Sequence, residues 1–404
     1  LTSRKPLAAV CGATLFLYAT YLTSFGLIRP VLGQAFGLNE ITSGQLLPPS
    51  FLGFIAGVLI GGTASDRIGR KAVIMIGFAL AVAGMILIGV VPTLAGVMGA
   101  IFLIGFGFGG SLTTATAFAS ELFPEKQAMI QGVINSLFGI GAIFSPLITG
   151  HLLRNGTDWR VIFLGLAVLN GVAFVALGTL RVPRKTSPQS SPSQKNEREE
   201  SPLLAKEGVG GGSLRTDLLS PAFVLLCVAQ ILYAGTEIGF WMWMPSLFAD
   251  KYPNGAAWAG NLVAIFWLAM TIGRFGFGMV SGRMPLMRLN AILGLLTALG
   301  MILTLLMPTP ALALVFVFLT GLPLSGVLII NIAETGERFR HAAGTIFSGL
   351  VASGGVGGTI LPYAVSAVAA GYGWTAGLCL PIIGAFGITA VSLALLRLDK
   401  HRTE

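Results

Sequence analysis

Of the 16 acidic residues in the chain, one stands deep inside a long apolar run: Glu237, in FVLLCVAQILYAGTEIGFWMWMPSLF. Gln230, Tyr233 and Trp241 accompany it at helical spacing, so the four side chains lie along one face. A charge at the centre of a bilayer costs about 2.5–3.5 kcal/mol on insertion scales, which makes such a carboxyl a candidate for binding a solute or carrying a proton. Hydrogen-bonding groups interleaved with flat rings suit a solute with polar edges and C–H faces, a sugar for example. An aromatic packing stripe around a protonated structural carboxyl is the alternative. In the next apolar run Trp267 and Arg274 share a face two turns apart, and Arg274 is too costly to point at lipid. Asn135 and Asn331 add polar groups in two further runs, either for the solute or for interhelical hydrogen bonds. Arg29, at the end of the first run, is expected to snorkel to the membrane surface.

Other chemistry finds little support. His151, His341 and His401 stand at run ends or in the tail, without partners spaced for catalysis or zinc. Cys11, Cys227 and Cys379 each sit alone in an apolar run and read as small apolar side chains. No GxxxxGK[ST] occurs, so a nucleotide-driven pump is not indicated. The sequence implies no enzyme, no cofactor and no metal.

The elements that must position these side chains are apolar runs long enough to span a bilayer. Hydrophobic residues make up 54% of the 404, charged residues only 10%, and the mean hydropathy is +0.84. Roughly 20 apolar residues cross a hydrocarbon core as a helix, and twelve runs of that kind can be counted. The expected fold class is an all-α membrane protein with twelve transmembrane helices. If the sides alternate, 20 of the 25 Lys and Arg fall on the side of the termini, four on the other, and Arg274 lies within a span. That bias places both termini in the cytoplasm and accounts for the net charge of +9 by topology, not by nucleic-acid binding. A monomer in a bacterial inner membrane is expected.

The chain divides into two halves, residues 1–182 and 220–404, joined by a Ser-, Pro-, Gly- and charge-rich linker at 183–219 that is expected to be disordered and cytoplasmic. FGIGAIFSP at 138–146 aligns with GGVGGTILP at 354–362 at a shift of 216, and at that shift Gly62-Thr-Ala-Ser-Asp66-Arg67 meets Gly278-Met-Val-Ser-Gly282-Arg283. A duplicated six-helix unit follows, with a binding site near the mid-plane between the copies.

Between the second and third runs lies GGTASDRIGRK. Positive-inside anchoring explains its cations, but not a carboxylate at the membrane edge or glycines at Gly62 and Gly69. Gly62 is expected to permit close helix approach and Gly69 a turn. With Gly62, Asp66, Arg67, Gly69, Arg70 and Lys71 it matches G-x-x-x-D-R-x-G-R-K, and the chain resembles the major facilitator superfamily over essentially its whole length, ELFPEK (121–126) and DWRVIF (158–163) included.

The resemblance implies a secondary transporter that works by alternating access, with the motif as a gate. Asp66 would stabilise one state at a helix N-terminus of the other half; Glu121 would pair with Arg70, and Glu334 with Arg274 or Arg283. Within the superfamily, YAGTEIGFW (233–241) and FWLAMTIGRFGFG (266–278) resemble helices 7 and 8 of the fucose–proton symporter family. Helix 4 here offers hydroxyls where that family has acidic and Asn positions, and helix 1 has no carboxylate, which leaves the solute open. The expected function is proton-coupled symport of a small polar solute, possible sugars included. The alternative is proton-driven efflux of drugs or metabolites.

Overall fold

The computed structural model describes residues 4–39, 42–123, 127–180, 217–280, 284–339 and 343–403. Among these there is no strand, and twelve helices form one bundle. In the first half they are α1 (Arg4–Ala35), α2 (Leu47–Ile68), α3 (Arg70–Val90), α4 (Leu94–Leu122), α5 (Gln127–Arg154) and α6 (Trp159–Thr179). The second half has α7 (Pro221–Lys251), α8 (Ala259–Val280), α9 (Leu286–Leu306) and α10 (Pro310–Arg338). The run Ala343–Thr403 is broken at Gly373, where φ is 84° and ψ 167°, into α11 (343–372) and α12 (374–403). All twelve are apolar and long enough to cross a membrane, α11 and α12 together holding one apolar stretch of 50 residues. The linker expected at 183–219 falls almost wholly outside the described residues.

Exposure is arranged as a bilayer requires. Val161, Leu164, Val168, Val172 and Val175 of α6 are exposed at steps of three and four, an apolar stripe that only lipid covers cheaply. Small residues set the internal spacing. Gly53, Gly57 and Gly61 of α2 lie against the backbone of α4 at Phe102, Phe106 and Gly110, where any side chain would strike main-chain atoms. Close approach at Gly62, expected from the motif, is not found: a Cβ there would meet nothing within 4 Å. One residue is a turn of about 100°, so Gly61, not Gly62, faces α4.

The two halves repeat each other in contacts as well as in sequence. Thr93 caps α4 by accepting from the Gly96 amide, and 216 residues on, Thr309 caps α10 by accepting from Leu312. Gly139 of α5 packs on Thr271 of α8; the same shift turns that pair into Gly355 of α11 on Ile55 of α2. Gly150 on Gly260 becomes Ser366 on Gly44. The halves therefore meet along two equivalent seams, α5 with α8 and α11 with α2.

Candidate functional site

Among the described residues, contacts between the halves run from the mid-plane to the end of the bundle away from the termini. There Gly26 of α1 packs against Trp241, Arg154 donates to the Ala257 carbonyl at 2.6 Å, and the Arg29 guanidinium lies 3.5 Å above the Trp243 ring. Arg29 is fully buried, so it does not snorkel to the surface as its position suggested. The seam between the halves covers it, and Trp243 supplies an aromatic face for its charge. Trp243 is fixed in turn by its indole N–H donating to Pro362 at 2.8 Å and by Trp374 at 4.9 Å between rings.

Against the inner edge of this closed end lies Glu237, at the middle of α7 and only 8% exposed. Its charged neighbour is Arg274 of α8. The Tyr233 hydroxyl lies beside both, and Tyr18 of α1 approaches Glu237 from the first half. Trp241 and Trp267 are almost wholly buried, with ring centroids 6.1 Å apart. Phe138 of α5 packs at a tilt against Trp267, 5.1 Å between rings, and the Arg274 guanidinium sits 5.7 Å from Trp267 and 5.8 Å from Phe138. Tyr18 joins the same aromatic floor through Phe138 at 6.1 Å and Phe108 at 5.4 Å. Both halves thus contribute rings to one mid-plane cluster whose charged members come from α7 and α8.

Four buried polar atoms in this cluster make no hydrogen bond of normal geometry: Tyr233 Oη, Trp241 Nε1, Trp267 Nε1 and Arg274 Nε. Such groups are costly to bury unpaired, about 1–3 kcal/mol each. Gln230 and Asn331 belong to a different arrangement. Asn331 Nδ2 donates to Gln230 Oε1 at 3.1 Å, and Asn290 Nδ2 donates to Asn331 Oδ1 at 3.0 Å and to Ser392 at 3.1 Å. This network ties α7, α9, α10 and α12 together inside the second half. Asn135 is exposed and stands one turn from Phe138. Among the described residues no three His, Cys, Asp or Glu side chains cluster as a metal ion requires.

The motif residues lie at the end carrying the termini. Gly69, at φ 91° and ψ 152°, makes the sharp break between α2 and α3. Arg70 donates to Ser65 and, at 2.9 Å, to Glu121, joining the ends of α2, α3 and α4. Lys71 donates to the Gly178 carbonyl at 3.0 Å and to Leu180 at 2.6 Å, placing a cation on the C-terminus of α6. Arg67 is exposed, while the Asp66 side chain and Arg283 lie outside the described residues. Glu334 pairs with Arg338 at 2.5 Å, one turn along α10; the pairing expected with Arg274 is not seen, because Arg274 points to Glu237.

Tyr18 and Phe138 were not singled out by the sequence. A tyrosine in the middle of the first apolar run was the available signal for one of them; Phe138 is indistinguishable in type from the other phenylalanines that only pack.

Over nearly its whole length the chain is similar to the glucose/mannose transporter GlcP of Bacillus subtilis (strain 168), with 24% identity covering 97% of this chain and 96% of that one. The gentisate transporter of Corynebacterium glutamicum is also 24% identical, over 99% of this chain and 89% of its own length. Among solved structures, the D-xylose–proton symporter superposes with a TM-score of 0.74 at 16% identity, covering 96% of each chain. The family model of the Major Facilitator Superfamily matches residues 10–362. With this match, the twelve helices in two equivalent halves and the mid-plane cluster between them, the chain belongs to the major facilitator superfamily and is a secondary transporter of a small polar solute.

Proposed function

We propose that the protein imports its solute together with protons, using Glu237 as the coupling carboxyl. The observation that carries this reading is a single carboxyl, buried at the mid-plane where the halves meet and flanked by Arg274 and Tyr233. A carboxyl there is alternately enclosed and opened to water as the halves rock, which is what a coupling site requires. The distribution of Lys and Arg supports cytoplasmic termini and a bacterial inner membrane as the setting. In that orientation the closed end is external, and the described contacts correspond to an inward-facing state. The motif Gly62, Asp66, Arg67, Gly69, Arg70 and Lys71, with Glu121, then acts as the cytoplasmic gate, together with Arg283 and Glu334 in the second half. Relatives named for glucose/mannose and for gentisate support a small polar solute without choosing between a sugar and an aromatic acid.

Glu237→Gln in proteoliposomes tests the coupling. Uptake of radiolabelled D-glucose and benzoate is measured above protein-free liposomes, with and without an imposed proton gradient. The variant is expected to lose gradient-driven accumulation while still exchanging labelled for unlabelled solute. Accumulation retained at the wild-type level removes the coupling role. Expulsion of solute driven by an inward proton gradient points to the efflux reading.

A further inference from the structure

We infer that the solute is a small aromatic carboxylate, and that its carboxylate group and Glu237 compete for Arg274. The inference rests on the reading of Glu237 as the coupling carboxyl. It starts from the balance of donors and acceptors in the mid-plane cluster. Trp241 Nε1, Trp267 Nε1 and Arg274 Nε can only donate, and all three are buried without a partner; the Tyr233 hydroxyl, beside Glu237 and Arg274, makes no hydrogen bond of normal geometry. The acceptors nearby are already committed. Gln230 Oε1 receives the Asn331 amide, and Asn331 Oδ1 receives that of Asn290. A polyol presents as many O–H donors as acceptors, and its donors would have to share the Glu237 carboxyl and the Tyr233 and Tyr18 hydroxyl oxygens. A carboxylate presents acceptors alone, on two oxygens with about four lone-pair sites. It satisfies orphaned donors without bringing new ones.

The remaining walls argue for the rest of the solute. Tyr18, Phe138, Trp241 and Trp267 border the cluster, and an arene offers the flat apolar face that such rings pack against. Arg274 is already positioned beside two of those rings, so a planar acid can stack and pair with it at once.

Charge then gives the coupling. Arg274 and an ionised Glu237 neutralise each other across the cluster. Adding an anion leaves an unbalanced negative charge at the mid-plane, which is expensive there. Protonation of Glu237 frees Arg274 and restores neutrality, so anion and proton enter together and the loaded site carries no net charge. The groups facing Glu237 are Arg274 from α8, Tyr233 from its own helix and Tyr18 from α1. Arg274 is the cation among them, so the competition is for one site.

Titration of the purified full chain with benzoate, benzamide and D-glucose at pH 5.5 and 7.5 tests the inference. Benzoate is expected to bind saturably and roughly tenfold or more tighter at pH 5.5, since its binding takes up a proton. Benzamide, of the same shape without the charge, and glucose are expected to bind at least tenfold more weakly. Glu237→Gln should keep benzoate binding but flatten its pH dependence, and Arg274→Gln should weaken benzoate at least tenfold. Tighter binding of glucose or benzamide than of benzoate, binding of none of the three, or an unchanged pH dependence in Glu237→Gln overturns the carboxylate assignment. The two readings fail separately. Proton-driven accumulation of glucose but not benzoate leaves Glu237 as the coupler and removes the carboxylate. Accumulation that survives Glu237→Gln removes coupling itself, and with it the competition.

Discussion

Two groups of polar side chains lie within a few turns of one another in the second half, and their hydrogen bonds separate their roles. Asn331 has partners on both sides, so replacing it leaves Gln230 Oε1 without its donor and takes from Asn290 Nδ2 one of its two acceptors, Ser392 being the other. Asn331→Ala is expected to cost about 1–3 kcal/mol for the groups left unpaired and to lower Tm in a thermal melt. Tyr233→Phe removes a hydroxyl that lies beside Glu237 and Arg274 without a hydrogen bond of normal geometry, so its Tm should stay close to wild type. Its cost should appear in benzoate titration instead, at roughly three- to tenfold for one hydrogen bond of about 1 kcal/mol. A fall in Tm for Tyr233→Phe without a change in binding would return that residue to the packing. Glu237, Tyr233 and Trp241 were legible in the sequence because a carboxyl amid spanning residues is conspicuous and the helical period carries its neighbours with it. Which polar residues were already spent was not legible. Asn331 and Gln230 look alike to Tyr233 in sequence, and only the packing of α9 and α12 against α7 and α10 shows that they satisfy each other.

At the level of the helices, the first half depends on backbone approach between α2 and α4. Gly53, Gly57 and Gly61 recur every four residues, and each meets the main chain of α4, which has no side chain that can move aside. Gly57→Leu is therefore expected to force the helices apart and abolish a monodisperse, folded product in size-exclusion chromatography. Gly62→Leu, with nothing within 4 Å of a Cβ, should fold as wild type. A folded, stable Gly57→Leu protein would show that α2 and α4 can separate at little cost. The pair also marks a limit of motif reading. The conspicuous glycine of the motif is Gly62, yet the packing falls to its neighbour, since a shift of one residue changes the face of a helix while leaving the local composition the same. The duplication was more legible, because a shift of 216 aligns glycines, a proline and the motif in the sequence, and the caps and seam contacts of the structure follow the same shift. The break at Gly373 was legible only as a gap between two apolar runs.

For the whole molecule, the question is what holds the closed end shut. Arg29 reaches from the first half into the second and places its charge over Trp243, entirely out of solvent. Burying that charge costs desolvation, and the Trp243 face offsets part of the cost in the closed state. A desolvated cation–π contact is worth about 2 kcal/mol, or roughly 30-fold in a two-state ratio. Trp243→Leu removes the ring and keeps the buried charge, so it should shift the balance toward opening at this end by up to that factor. Ser366, buried on Gly44 at the same seam, gives a reporter. With Cys11, Cys227 and Cys379 replaced, Ser366→Cys should react slowly with an impermeant maleimide in the otherwise wild-type protein and several-fold faster with Trp243→Leu. Weakening the packing of Trp243 on Trp374 would also loosen the region, so the rate alone does not identify the charge. The double variant Arg29→Leu/Trp243→Leu does. With no buried cation to compensate, closure should largely recover, as buried charges replaced by apolar groups commonly cost little. Labelling that stays fast in the double variant would assign the closure to the tryptophan packing and leave Arg29 without a part in it.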